Sequence, residues 1–87
     1  MSMYEHINRG TCSSKVSFDL VEKDGRKVVS GVRFTGGCSG NTQGVARLVE
    51  GMEVEEAISR MEGIRCGFKA TSCPDQLAQA LKEAIGR

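Results

Sequence analysis

The chain has 87 residues and a formal net charge of +1, from 12 basic and 11 acidic side chains. This balance, without a basic stripe, argues against electrostatic binding to nucleic acid. No apolar run approaches the length of about 18 residues that suggests a membrane span. The N-terminal segment shows neither the apolar core nor the cleavage site of a signal peptide, so we expect a cytoplasmic location.

The composition limits the size of the hydrophobic core. The aromatic residues are three phenylalanines and one tyrosine, and 11 glycines add backbone without side-chain area. We expect a single domain over residues 1–87, near the lower limit for folding on a core alone. Such a domain often needs disulfides, a metal or a partner subunit. A homodimer is compatible with this composition, although no apolar stripe identifies its surface.

Three strands are predicted in the first part of the chain. Residues 3–8 form the first, and two segments with alternating apolar and polar residues, around Phe18 and around Ser30, indicate a hairpin. Alternate residues of a strand lie on the same face of the sheet. The apolar residues of the two strands therefore lie on one common face only if the numbers of two paired residues have an even sum. A loop of residues 23–25 satisfies this condition and pairs Phe18 with Ser30. It predicts a type I turn with Gly25 in the left-handed region.

Three helices are predicted after the hairpin. Apolar residues at helical spacing indicate a first helix that ends at Gly51 and a second over residues 53–61. A third begins at Pro74, because proline is favoured at the first helical position. Strands followed by helices are typical of the α+β class. The sequence therefore predicts a three-stranded antiparallel sheet with three helices packed on one face.

The four cysteines, Cys12, Cys38, Cys66 and Cys73, are the clearest chemical feature. Cys38 and Cys73 sit at predicted helix starts, where unpaired N–H groups and the helix dipole stabilise a thiolate. The open ends of the hairpin would bring Cys12 and Cys38 together, and the last helix would bring Cys66 and Cys73 to the same end. In a reducing compartment, cysteines favour metal binding or thiol chemistry over disulfides. We therefore predict a tetrahedral zinc site with all four as ligands.

Other interpretations of these residues remain open. The spacing lacks the two C-x2-C pairs of zinc ribbons, and Cys66, close to Ile64 and Phe68, could be an ordinary core residue. The segment TGGCSGN could bind phosphate at a helix start, but it matches neither the P-loop nor the dinucleotide fingerprint. His6 is expected on the surface of an edge strand. Asp75 is expected in the first turn of the last helix, close to a metal at Cys73.

The stretches GGCSGN and CGFKATSCPDQLAQAL, with the placement of Cys12, resemble the TSCPD family over about residues 4–85. The family has small stand-alone members, and its domain also occurs at the C-terminal end of adenosylcobalamin-dependent ribonucleotide reductases. The resemblance implies a link to deoxyribonucleotide synthesis, with a reductase or another protein as partner. A chain of this length cannot hold the reductase barrel, its radical cysteine and its cobalamin site. We therefore expect an accessory module that is not an enzyme on its own.

The order of elements is also similar to that of U-type iron–sulfur cluster scaffold proteins. This similarity implies that Cys12, Cys38 and Cys73 match their three metal-binding cysteines, whereas Cys66 has no counterpart. Ser72 stands where scaffolds commonly carry histidine. A scaffold needs an open ligand position and four thiolates leave none, so zinc is favoured over an iron–sulfur cluster. The other alternative is a thiol-redox protein that delivers electrons to a reductase, although the C-x-x-C of dithiol carriers is absent.

Overall fold

The computed structural model describes residues 2–11, 13–36, 39–67 and 69–86, and within them three strands precede three helices. The three strands form an antiparallel sheet in the order β1-β2-β3. The predicted α+β class is confirmed. The elements are β1 (Ser2–Ile7), β2 (Ser13–Lys23), β3 (Arg26–Gly36), α1 (Ser39–Val49), α2 (Val54–Met61) and α3 (Cys73–Ala84).

The hydrophobic core lies between one face of the sheet and the helices. Phe18 of β2 and Val29 of β3 are fully buried, and they belong to the same apolar cluster as Leu77 and Leu81 of α3. Tyr4 of β1 stacks on Phe18 with ring centroids 5.5 Å apart. α3 contacts β1, β2 and both other helices. α3 therefore joins the sheet to the other two helices.

The turn of the β2–β3 hairpin has two residues, and the predicted three-residue loop was wrong. Lys23 pairs with Arg26, so only Asp24 and Gly25 form the loop. Both have positive φ angles, 55° and 78°. These are the angles of a type I′ turn, whose backbone twist matches that of the flanking strands. Ser30 consequently pairs with the residue that follows Phe18 rather than with Phe18 itself.

A β-bulge in β3 explains how this register still produces one apolar face. Near the turn the paired residue numbers have an odd sum, as in Leu20 with Val29, but beyond Phe18 the sum is even, as in Val16 with Phe34, until a second irregularity at the start of β2. The extra residue of β3 lies opposite Phe18, next to Gly31, whose φ angle is 62°. Glycine adopts this left-handed conformation without the penalty of a Cβ atom. The bulge therefore returns the apolar residues of both strands to the core.

The connection between α1 and α2 runs along the edge of β3 that faces away from β2. Gly51 N donates to Val29 O at 2.8 Å, and Val29 N donates to Met52 O at 2.9 Å. The Glu50 carboxylate accepts from Ser30 Oγ at 2.8 Å and from Gly31 N at 2.9 Å. These bonds fix the ends of α1 and α2 relative to the sheet. None of the helices in the described ranges is long and apolar enough to cross a membrane.

Candidate functional site

The N-terminus of α3 carries Cys73. Ser72 is its N-cap, because the Ser72 hydroxyl accepts from Asp75 N at 3.2 Å. The helix begins at Cys73, one residue before the start predicted at Pro74. Pro74 lacks an N–H group, so this first turn has one fewer unpaired donor. The Ser-Cys-Pro-Asp sequence thus begins the helix and places a buried cysteine in its first turn.

Cys73 is hydrogen-bonded to the sheet through two polar side chains. Ser13 Oγ, at the start of β2, lies 2.9 Å from Cys73 Sγ. Asn8 Nδ2, just after β1, donates to Ser13 Oγ at 2.9 Å. All three residues are buried, with exposed fractions of 8% for Asn8, 1% for Ser13 and 6% for Cys73. A buried chain of hydrogen bonds therefore connects the beginnings of β2 and α3 at one end of the sheet.

A cavity of about 360 Å³ lies beside Cys73. Cys66, which is exposed, lines the same cavity, so the two described cysteines of the predicted zinc site share it. Arg65 and Lys69 place positive charge in the cavity wall. The other lining residues are Thr11, Asn41, Ile64, Ser72 and Pro74.

Two of the four predicted ligands, Cys12 and Cys38, lie outside the described residues. The four-cysteine zinc site therefore stays a prediction. Among the described residues there is no group of three or more His, Cys, Asp or Glu side chains that could hold a metal ion. The described sequence neighbours are nevertheless informative. Thr11 directly precedes Cys12, Asn41 follows Cys38 by three positions, and both line the cavity of Cys66 and Cys73.

Asp75 anchors the loop that carries Cys66. Its buried carboxylate accepts from Gly63 N at 2.7 Å and from the Thr71 hydroxyl. Cys66 N donates to Thr71 O at 3.2 Å, which closes the loop on itself. The position of Asp75 in the first turn of α3 agrees with the sequence prediction. Its carboxylate is engaged with protein donors, an arrangement that the sequence did not indicate.

His6 lies on the edge strand, as expected, but its ring is only 16% exposed because it contacts α3. His6 Nδ1 is 2.8 Å from Glu83 Oε1, and Nε2 is 3.0 Å from Gln76 Oε1. The same Gln76 oxygen accepts from Arg9 N at 3.2 Å, and Gln76 Nε2 donates to Thr71 Oγ1 at 3.0 Å. This polar cluster fastens β1 to α3 next to the anchored loop. The sequence around His6 did not predict these contacts with α3.

Comparison with known families gives a match to the TSCPD domain over residues 1–85. The matched range includes all four cysteines and both polar residues of the hydrogen-bond chain. No match was found among curated proteins or among solved structures.

Proposed function

The chain belongs to the TSCPD domain family, and we propose that it is a zinc-binding accessory module associated with ribonucleotide reduction. The metal would have a structural role, because four thiolates leave no open position for a substrate. The proposed ligands are Cys12, Cys38, Cys66 and Cys73.

The cavity at the N-terminus of α3 is the observation that carries this proposal. Cys66 and Cys73 are seven positions apart on the chain, yet both line it. The described neighbours of the other two cysteines, Thr11 and Asn41, line it as well. Four separate segments of the chain therefore meet at one cavity, and the described residue of each either is a cysteine or lies within three positions of one in the sequence. This convergence supports a single site with four sulfur ligands.

The residues around the cavity suit a zinc–thiolate centre. Four thiolates around a divalent ion leave an excess of negative charge, which Arg65 and Lys69 offset from the cavity wall. Ser13 lies within hydrogen-bond distance of Cys73 Sγ, and metal ligands are commonly held by such outer partners. Zinc would also tie the exposed segment around Cys66 to the rest of the domain. That crosslink would add the stability that a chain of this size has difficulty in obtaining from its core.

The zinc site is tested by elemental analysis and thiol titration of protein purified without chelator or air. We expect one zinc per chain and four thiols that react only after the metal is chelated, because zinc-bound thiolates are protected. Protein without metal and with four reactive thiols would contradict the proposal and favour redox transfer. A brown protein that contains iron would contradict it in favour of an iron–sulfur cluster.

The association with ribonucleotide reduction rests on the family and needs a separate experiment. We expect the zinc-loaded chain to bind a ribonucleotide reductase from the same cell, measured by titration calorimetry. The chelated chain is the matched control, and its binding should be weaker because the segments around the metal would lose their common anchor. Equal binding, or none in either form, would contradict the link between the zinc site and the reductase.

A further inference from the structure

We propose that Ser13, held in place by Asn8, is a positioning residue for the sulfur of Cys73. Ser13 donates its hydroxyl hydrogen to Cys73 Sγ and so orients the sulfur as a metal ligand. This inference rests on the zinc-binding function proposed above and extends it from the ligands to the residues that hold them.

The burial of the three side chains makes their hydrogen bonds specific. Asn8, Ser13 and Cys73 are each more than nine-tenths buried. Buried polar groups are almost always hydrogen-bonded, because an unpaired buried donor or acceptor costs free energy. The 2.9 Å contact of Ser13 Oγ with Cys73 Sγ and the 2.9 Å bond from Asn8 Nδ2 to Ser13 Oγ supply these partners. The sulfur therefore has a fixed polar partner within the protein.

A zinc-bound Cys73 would be a thiolate, which carries no hydrogen and can only accept a hydrogen bond, so Ser13 would be the donor in the metal-bound protein. Because Asn8 Nδ2 donates to Ser13 Oγ, the single hydroxyl hydrogen of Ser13 remains available for Cys73 Sγ. Asn8 Oδ1 is buried and has no hydrogen-bond partner among the described residues. Among the described residues, the Asn8 side chain therefore takes part in these hydrogen bonds only through Nδ2. A hydrogen bond from Ser13 would then help to hold the sulfur in the orientation in which it binds the metal.

The backbone around Ser13 and Asn8 is fixed independently of their side chains. Asn8 N donates to Ser14 O at 2.9 Å, and Thr11 Oγ1 donates to Ser13 O at 2.8 Å. The segment from Asn8 to Ser14 includes position 12, so the donor to Cys73 belongs to the same short connection as a second proposed ligand. These backbone bonds hold the Ser13 hydroxyl in place for Cys73.

The test compares the zinc affinity of Ser13→Ala and wild type by competition with a chromophoric chelator. We expect Ser13→Ala to bind zinc about 10- to 100-fold more weakly, the usual loss when an outer partner of a metal ligand is removed. Ser14→Ala is the matched control, because Ser14 is the next residue and its exposed hydroxyl bonds Thr35 O instead. It should bind zinc like wild type. Wild-type affinity in Ser13→Ala would overturn the proposal.

Thermal melting of zinc-free wild type and zinc-free Ser13→Ala distinguishes a purely structural role of Ser13 from a positioning role. Such a role would lower the melting temperature of zinc-free Ser13→Ala and leave the zinc affinity of its folded form unchanged, which would also overturn the proposal. If Ser13→Ala does not fold, Asn8→Asp is the second variant. Its carboxylate is nearly isosteric but can only accept, so it draws the Ser13 hydrogen away from Cys73. We expect at least tenfold weaker zinc binding, and wild-type affinity would contradict the inference.

Failure of the zinc proposal itself is recognised in the wild-type protein. If wild type binds no zinc, the zinc function is wrong, and Ser13 is then tested by the alkylation rates of Cys73 and Cys66, measured by peptide mass spectrometry. Ser13→Ala should change the rate at Cys73 severalfold and leave that at Cys66 unchanged, because the Ser13 hydroxyl contacts the Cys73 sulfur. Equal rates at Cys73 in both proteins would overturn the positioning role.

Discussion

Replacement of Cys73 by serine is expected to abolish most of the stability of the zinc-loaded protein. Structural zinc contributes about 10 kcal/mol or more to the folding of small domains, and the loss of one thiolate removes much of that contribution. Thermal melting followed by circular dichroism measures the effect.

The control compares wild type with Cys73→Ser after zinc has been removed from both proteins. Serine is close to cysteine in size and can keep a hydrogen bond to Ser13, so the two zinc-free proteins should melt at similar temperatures. A difference that appears only with zinc identifies Cys73 as a ligand. Unchanged melting of zinc-loaded Cys73→Ser would show that Cys73 does not bind the metal.

Replacement of Asp75 by alanine is expected to lower the free energy of unfolding by about 3 kcal/mol. The buried carboxylate accepts from Gly63 N and from the Thr71 hydroxyl, and hydrogen bonds to charged groups contribute about 1.5–3 kcal/mol each. Alanine would leave the Gly63 N–H without its acceptor and release the loop that carries Cys66. Urea denaturation measures the change as a shift of the midpoint.

Two further variants control for the loss of charge at Asp75. Asp75→Asn keeps one acceptor oxygen, and its amide can donate to Thr71 Oγ1, so we expect a smaller loss of about 1 kcal/mol. Glu56→Ala removes an exposed acid that pairs with Arg60 and should change stability by less than about 0.5 kcal/mol. If Asp75→Ala lowers the free energy of unfolding no more than Glu56→Ala does, the hydrogen bonds of Asp75 do not stabilise the protein.

The elements of the fold could be predicted because their signals are local. Alternation of apolar residues identified β2 and β3, and helical spacing identified the three helices to within a few residues at their ends. The start of α3 was misplaced by one residue because Ser72, and not Cys73, caps the helix. Such capping depends on one hydrogen bond, from Asp75 N to Ser72 Oγ, which the spacing of apolar residues does not reveal.

The register of the hairpin could not be predicted from apolar parity alone. The parity rule assumes that both strands are regular, and the bulge beside Gly31 breaks that assumption. An Asp-Gly pair between two strands is itself a signal for a two-residue type I′ turn, and Gly31 inside a predicted strand is a signal for a bulge. The two signals are consistent only when they are read together.

The residues of the candidate site were predictable only where their chemistry is distinctive. Cysteine is rare and reactive, so Cys66 and Cys73 were candidates from their type alone, and they do line one cavity. Asn8 and Ser13 are ordinary polar residues near the ends of strands. Their relation to Cys73 arises from a contact between positions 60 residues apart. A contact of that kind becomes visible only when the fold is known.

X-ray absorption spectroscopy at the zinc edge tests the central claim most directly, because it counts the atoms bound to the metal. Protein purified without chelator should show a single shell of four sulfur atoms at about 2.3 Å from zinc. A shell that contains nitrogen or oxygen, or fewer than four sulfurs, would contradict the proposed site of Cys12, Cys38, Cys66 and Cys73.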